Sequence, residues 1–195
     1  MSIPKILLKA FCASLLAGLL LFGDLPVAAQ ETPRAWGETV GGLQMTVYLD
    51  QAIGAQSPVP TFRIELRNAG EYDLVMNLGT LLANGRKQYP NWVILFVTDA
   101  RGKTRRFHMR EPQHIFGRAD PFAVPLPVGS TYSIPVDLEN KYWPAEPLEV
   151  DYKFKPGTYS LEAQFTGRRA SESSLDPFWT GTVASNQLRF EVAGR

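Results

Sequence analysis

The chain has 195 residues, with 20 Lys and Arg against 19 Asp and Glu, and one cysteine. Because these charges nearly cancel, no net field attracts the whole protein to nucleic acid or to an anionic membrane, and an electrostatic partner must be bound by a local patch. The length is that of one domain, which can bury a substantial core without disulfide bonds.

The N-terminus has the layout of an export signal. Lys5 and Lys9 precede an apolar stretch over residues 10–22. Val27 and Ala29 then occupy the −3 and −1 positions of a small-residue cleavage site. About thirteen apolar residues fall short of the roughly 20 that span a bilayer, so we expect cleavage after Ala29 rather than a retained membrane anchor.

Removal of the signal peptide, residues 1–29, changes the chemistry of the chain. The 20 basic residues lose two lysines and the 19 acidic residues lose Asp24, which leaves 18 of each. Cys12 is lost as well, and it is not directly preceded by the small residue of a lipoprotein signal. We expect a neutral, thiol-free protein in a periplasm or outside the cell, with a flexible segment over 30–41 and a folded domain over 42–195.

Beyond the signal, apolar and polar residues alternate with the period of two that half-buried β-strands show, and no helical period competes. The predicted strands are 43–50, 62–67, 72–77, 92–97, 104–110, 132–138, 159–165 and 188–192. The pattern predicts an all-β fold, a single immunoglobulin-like or fibronectin-like sandwich of two sheets with about seven to nine strands.

Three segments allow finer predictions. Segment 92–97 is apolar on both faces, which is typical of a central strand whose second face is covered by a loop or by neighbouring side chains. Pro135 cannot donate a ladder hydrogen bond, so its strand lies at an edge or carries a bulge. The proline-rich stretch 121–127 is either a stiff crossover between the sheets or an extended segment that a partner could grip.

Residues 155–161 read Lys-Pro-Gly-Thr-Tyr-Ser-Leu. This segment resembles the start of a strand in immunoglobulin-like and fibronectin-like domains, where a tyrosine at the sheet corner bonds back to the preceding loop. The resemblance gives that role to Tyr159.

A wider resemblance, to uncharacterised secreted bacterial immunoglobulin-like β-sandwich proteins, is carried by 62–70, 117–127, the Pro-Gly-Thr-Tyr corner and 179–186. These motifs are structural, so the resemblance implies a fold and an exported location without an activity. The strand-loop-strand pattern is more loosely similar to the bacterial intracellular proteinase inhibitor family, also a β-sandwich. The chain departs from that family by its export signal and its longer loops.

No residue pattern points to catalysis. After the signal the chain has no thiol and two histidines, and it lacks the motifs of serine hydrolases, zinc proteases and phosphate-binding loops. Glu146, Glu149 and Asp151 cluster in a connection, where clustered acids usually form a solvated surface. We expect a protein that is not an enzyme and uses no cofactor.

His108, Met109 and His114 are donors that would suit copper in an exported protein. However, successive side chains on a strand point to opposite faces, so His108 and Met109 diverge. Met109 then joins Phe107 in the core. We therefore expect no metal site, with one histidine on a strand surface and one in a loop.

The most concentrated charge is a group of five cations around one predicted hairpin: Arg101, Lys103, Arg105, Arg106 and Arg110. On the strand, Arg106 and Arg110 face outward in one row with His108. This row could bind an anionic polymer or an acidic patch on a partner. The alternatives are a solvated edge that discourages aggregation between strands, or pairing with the acids of 146–151.

Long connections are further candidate sites, because loops of their length are uncommon unless they are functional or disordered. They are 111–130, 139–156 and 166–185. Two of them carry adjacent aromatic residues, Tyr142 with Trp143 and Phe178 with Trp179. Exposed together, these rings would form a platform for a sugar or a peptide; folded back, they would plug the open end of the sandwich.

These features favour a non-enzymatic, exported interaction or accessory module. Its expected partner is another exported protein or a cell-envelope component, with no nucleic acid and no stable membrane anchor. A second hypothesis is a proteinase inhibitor that presents a long loop. A third is a glycan-binding module that uses Trp143 and Trp179.

Overall fold

A computed structural model describes residues 34–51, 58–82, 85–109, 117–139, 143, 152–168 and 178–194. The predicted signal with its cysteine lies outside these ranges, as do Arg110, His114, Tyr142 and the acids of 146–151. In the part of the chain that is described, no helix is long and apolar enough to cross a membrane.

The described fold contains eleven β-strands, which confirms the predicted all-β class. They are β1 (Leu43–Gln51), β2 (Thr61–Asn68), β3 (Leu74–Leu82), β4 (Lys87–Tyr89), β5 (Val93–Asp99), β6 (Thr104–His108), β7 (Asp120–Leu126), β8 (Thr131–Val136), β9 (Gly157–Gly167), β10 (Gly181–Ala184) and β11 (Leu188–Val192). The sequence pattern predicts all but β4, β7 and β10. Two of these, β4 and β10, have only three and four residues and are too short to show a period.

The strands form three hydrogen-bonded sheets in the β-sandwich, all with antiparallel pairing. Their orders are β1-β2-β8, then β10-β9-β5-β6 with β11 also paired to β9, and β4-β3-β7. β2 pairs with β8 as far as Arg67, and β3 pairs with β7 from Leu74 onward. Between these pairings, the backbone of Asn68 bonds to Gly129 and Ser130 in the β7–β8 turn. The structure therefore has three hydrogen-bonded sheets where the sequence predicted two.

β5 is the central strand that its apolar sequence predicts, since it lies between β9 and β6. Leu95 is completely buried, and Phe96 on the other face is half-buried. On that face Arg106 of β6 and Glu162 of β9 lie opposite Phe96 in the two ladders. Neighbouring side chains therefore cover the second face of β5, as expected.

Prolines mark edge strands. Pro135 lies on β8, at the edge of its sheet, as predicted. The expectation of a crossover at 121–127 is wrong, because this stretch forms β7, which pairs with β3. Pro121 and Pro125 are tolerated there because β7 is also an edge strand and its prolines need not donate to a further neighbour.

The N-terminal part of the described chain is built into the sandwich, which corrects the expectation of a flexible segment over 30–41 for residues 34–41. The Gly37 N–H donates to the Met45 carbonyl at 2.8 Å, and the Thr46 hydroxyl donates to the Ala35 carbonyl at 2.6 Å. The segment therefore packs along β1 through its backbone, a contact that the alternation of residue types cannot reveal.

A polar cluster anchors the same segment to β2. Glu65 is buried, and its carboxylate accepts hydrogen bonds from Arg34 at 2.7 Å and from the Tyr48 hydroxyl at 2.6 Å. The Arg34 guanidinium also lies 4.3 Å from the centre of the Tyr48 ring. Burial and the bond to Glu65 raise the pKa of Tyr48 to about 12.

Candidate functional site

The turn between β5 and β6 forms one wall of a basic cleft. Asp99 organises this turn: its carboxylate accepts the backbone N–H of Arg101 at 2.9 Å and that of Lys103 at 3.0 Å. Its carbonyl accepts the Gly102 N–H at 2.9 Å. The backbone donors of Lys103 and Arg101 hold the pKa of Asp99 below its usual range. These hydrogen bonds fix the backbone of the wall, which carries the side chains of Arg101 and Lys103.

The opposite wall is the segment 152–158, which leads into β9. Tyr159 at the start of β9 is buried, and its hydroxyl donates to the Lys155 carbonyl at 2.9 Å while it accepts the Lys155 N–H at 3.2 Å. The bond back to the preceding loop that the resemblance implied for Tyr159 is therefore present. It fixes Lys155 relative to the sheet.

Aromatic packing sets the direction of the lysines on this wall. Tyr152 and Phe154 both contact Phe107 of β6, at centroid distances of 5.7 and 5.8 Å. Because these two side chains turn towards the core, Lys153 and Lys155 turn away from it, and both are exposed. An alternating aromatic-lysine segment therefore presents two cations on one side.

The two walls enclose a cleft of about 330 Å³. Five cations line it: Arg101, Lys103, Arg105, Lys153 and Lys155. Asp99 is the one carboxylate that lines it in the described part of the chain. Arg105 lies over the Tyr152 ring at 4.4 Å. The other four cations form no ion pair with any carboxylate in the described ranges.

The cleft contains three of the cations that the sequence singled out, Arg101, Lys103 and Arg105, and separates them from a fourth. Arg106 faces the opposite side of β6, where it lines a smaller cavity of about 200 Å³ with Trp92, His108 and Arg168. Arg110, the last member of the predicted row, lies outside the described residues. The five-cation hairpin is thus divided between the two faces of the sheet.

Sequence reasoning missed Lys153 and Lys155. The alternation of Tyr152 and Phe154 with the lysines was a usable signal, since it predicts that the lysines share one side. Their position opposite the β5–β6 turn depends on the pairing of Asp99 with Tyr159 in the ladder between β5 and β9. That pairing joins segments sixty residues apart in the chain (159 − 99).

The described tryptophans do not form the exposed platform that was one of the two alternatives for these aromatic residues. Trp143 and Trp179 are only 3% and 6% exposed. The Trp179 ring stacks on Phe165 at 5.6 Å, and its Nε1 donates to the Gly41 carbonyl at 3.1 Å. Phe178 is half-buried and bridges to β3. Both tryptophans are core residues, which agrees with the alternative that these aromatic residues fold back, and neither presents an exposed ring.

His108, the last residue of β6, and Met109, which follows it, diverge as expected. Met109 packs against the core on the side of Phe107, whereas His108 lines the small cavity on the outer face. Within the described ranges no three His, Cys, Asp or Glu side chains are grouped so that they could hold a metal ion.

No protein-family model matches the chain, and no curated protein matches it in sequence. The resemblances noted in the sequence are therefore left as expectations, and the functional assignment depends on the chemistry of the basic cleft.

Proposed function

We propose that the chain is an exported, non-enzymatic interaction module and that its basic cleft binds an acidic group of another exported protein or of a cell-envelope component. One observation carries this proposal: five cations converge on a cleft of about 330 Å³ beside a single carboxylate, in the part of the chain that is described. Like charges gathered in this way repel one another, and an anionic ligand would relieve the repulsion.

The rigidity of both walls supports the proposal. The Asp99 turn and the Tyr159 corner hold the backbone beneath the cations by hydrogen bonds, so a ligand need order only the side chains. Binding costs less free energy when the receptor is organised in advance. The sequence also predicts zero net charge after signal removal, so the attraction would be local to the cleft.

The inhibitor hypothesis receives no comparable support. It depends on a long loop presented to a protease, and a part of each long connection lies outside the described residues, namely 111–116, 140–142 with 144–151, and 169–177. No contact in the described part of the chain favours it.

Charge reversal tests the proposal. The chain, with Lys103→Glu and Lys153→Glu introduced together, is compared with the unchanged chain and with the control Arg86→Glu with Lys87→Glu, whose side chains are exposed at the β3–β4 turn. The three proteins are used to capture partners from the exported fraction. We expect one partner to be retained by the unchanged chain and the control and lost with the cleft variant. Equal capture by all three would contradict the proposal.

A further inference from the structure

We infer that the ligand of the basic cleft is an anionic polysaccharide, a chain of sugar rings that carry carboxylate or sulfate groups. This inference rests on the proposed function, because it names the partner class of the same site. It follows from the arrangement of the cations and from what the cleft lacks.

The cations come in two pairs, one on each wall. Lys153 and Lys155 are two residues apart on a segment whose alternate side chains are buried, so their Cα atoms are separated by about 6.6 Å, twice the rise of an extended residue. Arg101 and Lys103 form the second pair, on the Asp99 turn. A ligand with one charge would engage part of this set. A chain that repeats its charge can contact both pairs at once and gains from each contact.

A protein partner fits the cleft less well. Protein interfaces derive most of their binding free energy from a few aromatic or aliphatic anchors in desolvated pockets. In the described part of the chain the exposed large hydrophobic side chains are Leu49, Tyr72 and Val128, and none of them lines the cleft. The cleft therefore offers charge without an apolar anchor.

A nucleic acid also fits less well, because proteins bind single strands by stacking the bases on exposed aromatic rings. Both aromatic side chains that line the cleft are already in contact with other groups. Tyr152 has the Arg105 guanidinium over its ring and Phe154 at 5.0 Å, and Tyr159 stacks on Phe190 at 5.5 Å. No free ring is left in the cleft for a base.

A charged polysaccharide satisfies these conditions. It is hydrophilic, so it needs no apolar anchor, and it repeats its charge along the chain. Its sugar rings restrict rotation, so it loses less conformational freedom on binding than a flexible polypeptide does.

Calorimetric titration tests the inference with protein purified from cells that express the full 195-residue chain. The probes are polygalacturonate, which carries carboxylates, dextran sulfate, which carries sulfates, and uncharged dextran. We expect at least one charged polymer to bind, the uncharged polymer not to bind, and the affinity to fall as salt rises. Comparison of the two charged polymers tells which anionic group the cleft prefers.

Two double variants locate the binding. The first is Arg101→Gln with Lys103→Gln, and the second is Lys153→Gln with Lys155→Gln. Each should weaken binding by about tenfold or more. Each should also reduce the slope of log affinity against log salt by about one to two, because the polymer releases fewer counterions when it contacts fewer cations. Arg86→Gln with Lys87→Gln is the matched control and should change the affinity by less than about twofold. Equal binding by all variants would overturn the inference.

Polyglutamate and oligo(dT) of matched charge probe the two rejected classes. If either binds at least as tightly as both charged polysaccharides, the inference is overturned while the proposed function stands. If neither charged polysaccharide binds, the inference also falls. The proposed function fails separately, when charge reversal in the cleft leaves partner capture unchanged.

Discussion

The side-chain amide of Asn186 bonds to both backbone groups of Val47 on β1. The Val47 N–H donates to Asn186 Oδ1 at 2.9 Å, and Asn186 Nδ2 donates to the Val47 carbonyl at 3.1 Å. Asn186 lies in the connection between β10 and β11, so this contact ties the first sheet to the second. A side chain here takes the place of a strand that would otherwise pair with the edge of β1.

Asn186→Ala should therefore destabilise the protein. It leaves the Val47 N–H and carbonyl without these partners, at a cost of about 1–3 kcal/mol in the free energy of unfolding. Urea denaturation measures the loss. Gln187→Ala is the neighbouring control, because Gln187 is exposed and should change stability by less than about 0.5 kcal/mol. Similar midpoints for the two variants would show that the amide contact contributes nothing.

The Trp179 ring should be a main support of the fold. It stacks on Phe165 and approaches Gly167 so closely that a Cβ at Gly167 would lie 2.5 Å from the ring. Trp179→Ala should lower the free energy of unfolding by about 3–5 kcal/mol, and Trp179→Phe by less, since it keeps most of the stacking surface. Gly167→Ala should also destabilise, because the ring or the backbone must shift. Urea denaturation measures the free energy of unfolding of the three variants. A Trp179→Ala protein as stable as the unchanged chain would contradict the buried position of the ring.

Tyr159→Phe tests the tyrosine corner without removing the ring. The substitution deletes the hydroxyl that bonds to the backbone of Lys155, and we expect a loss of about 1–2 kcal/mol in unfolding free energy. Tyr72→Phe is the control, since Tyr72 is 78% exposed and should show no loss. Tyr159→Phe should also weaken ligand binding in the cleft, because the hydroxyl that fixes the backbone of Lys155 is lost. A stable Tyr159→Phe protein would mean that the corner is dispensable.

The contrast between Tyr159 and Trp179 shows what sequence reasoning can reach. Tyr159 was predictable, because its partner Lys155 is four residues away within one recognisable segment. The position of Trp179 was not, because its ring bonds to Gly41, 138 residues away in the chain. The same distinction applies to the residues around the cleft. The alternation of residue types predicts that Phe107 faces inward. The approach of Lys153 to the β5–β6 turn depends instead on the pairing of β5 with β9, which joins distant parts of the sequence.

Stability should fall at alkaline pH through Tyr48. Its pKa is raised to about 12 in the folded protein by burial and by the bond to Glu65. An unfolded tyrosine ionises near pH 10, so between about pH 10 and 12 the folded state holds a proton that the unfolded state has lost, and the free energy of unfolding decreases as pH rises. Tyr48→Phe should show a shallower decrease across this range in urea titrations. Identical slopes for the two proteins would contradict the assignment.

The claim that the basic cleft binds the partner is tested most directly by cross-linking from inside it. Cys12 is the one cysteine of the chain, so in a Cys12→Ser background Thr158→Cys places a single thiol on the cleft wall and leaves every cation in place. Lys87→Cys is the remote control. Each thiol carries a photoreactive group, and the labelled proteins are irradiated with the exported fraction. We predict a cross-linked partner from position 158 that is absent from position 87, with a yield that falls when salt is added before irradiation; equal yields from both positions, or none from 158, would contradict the account.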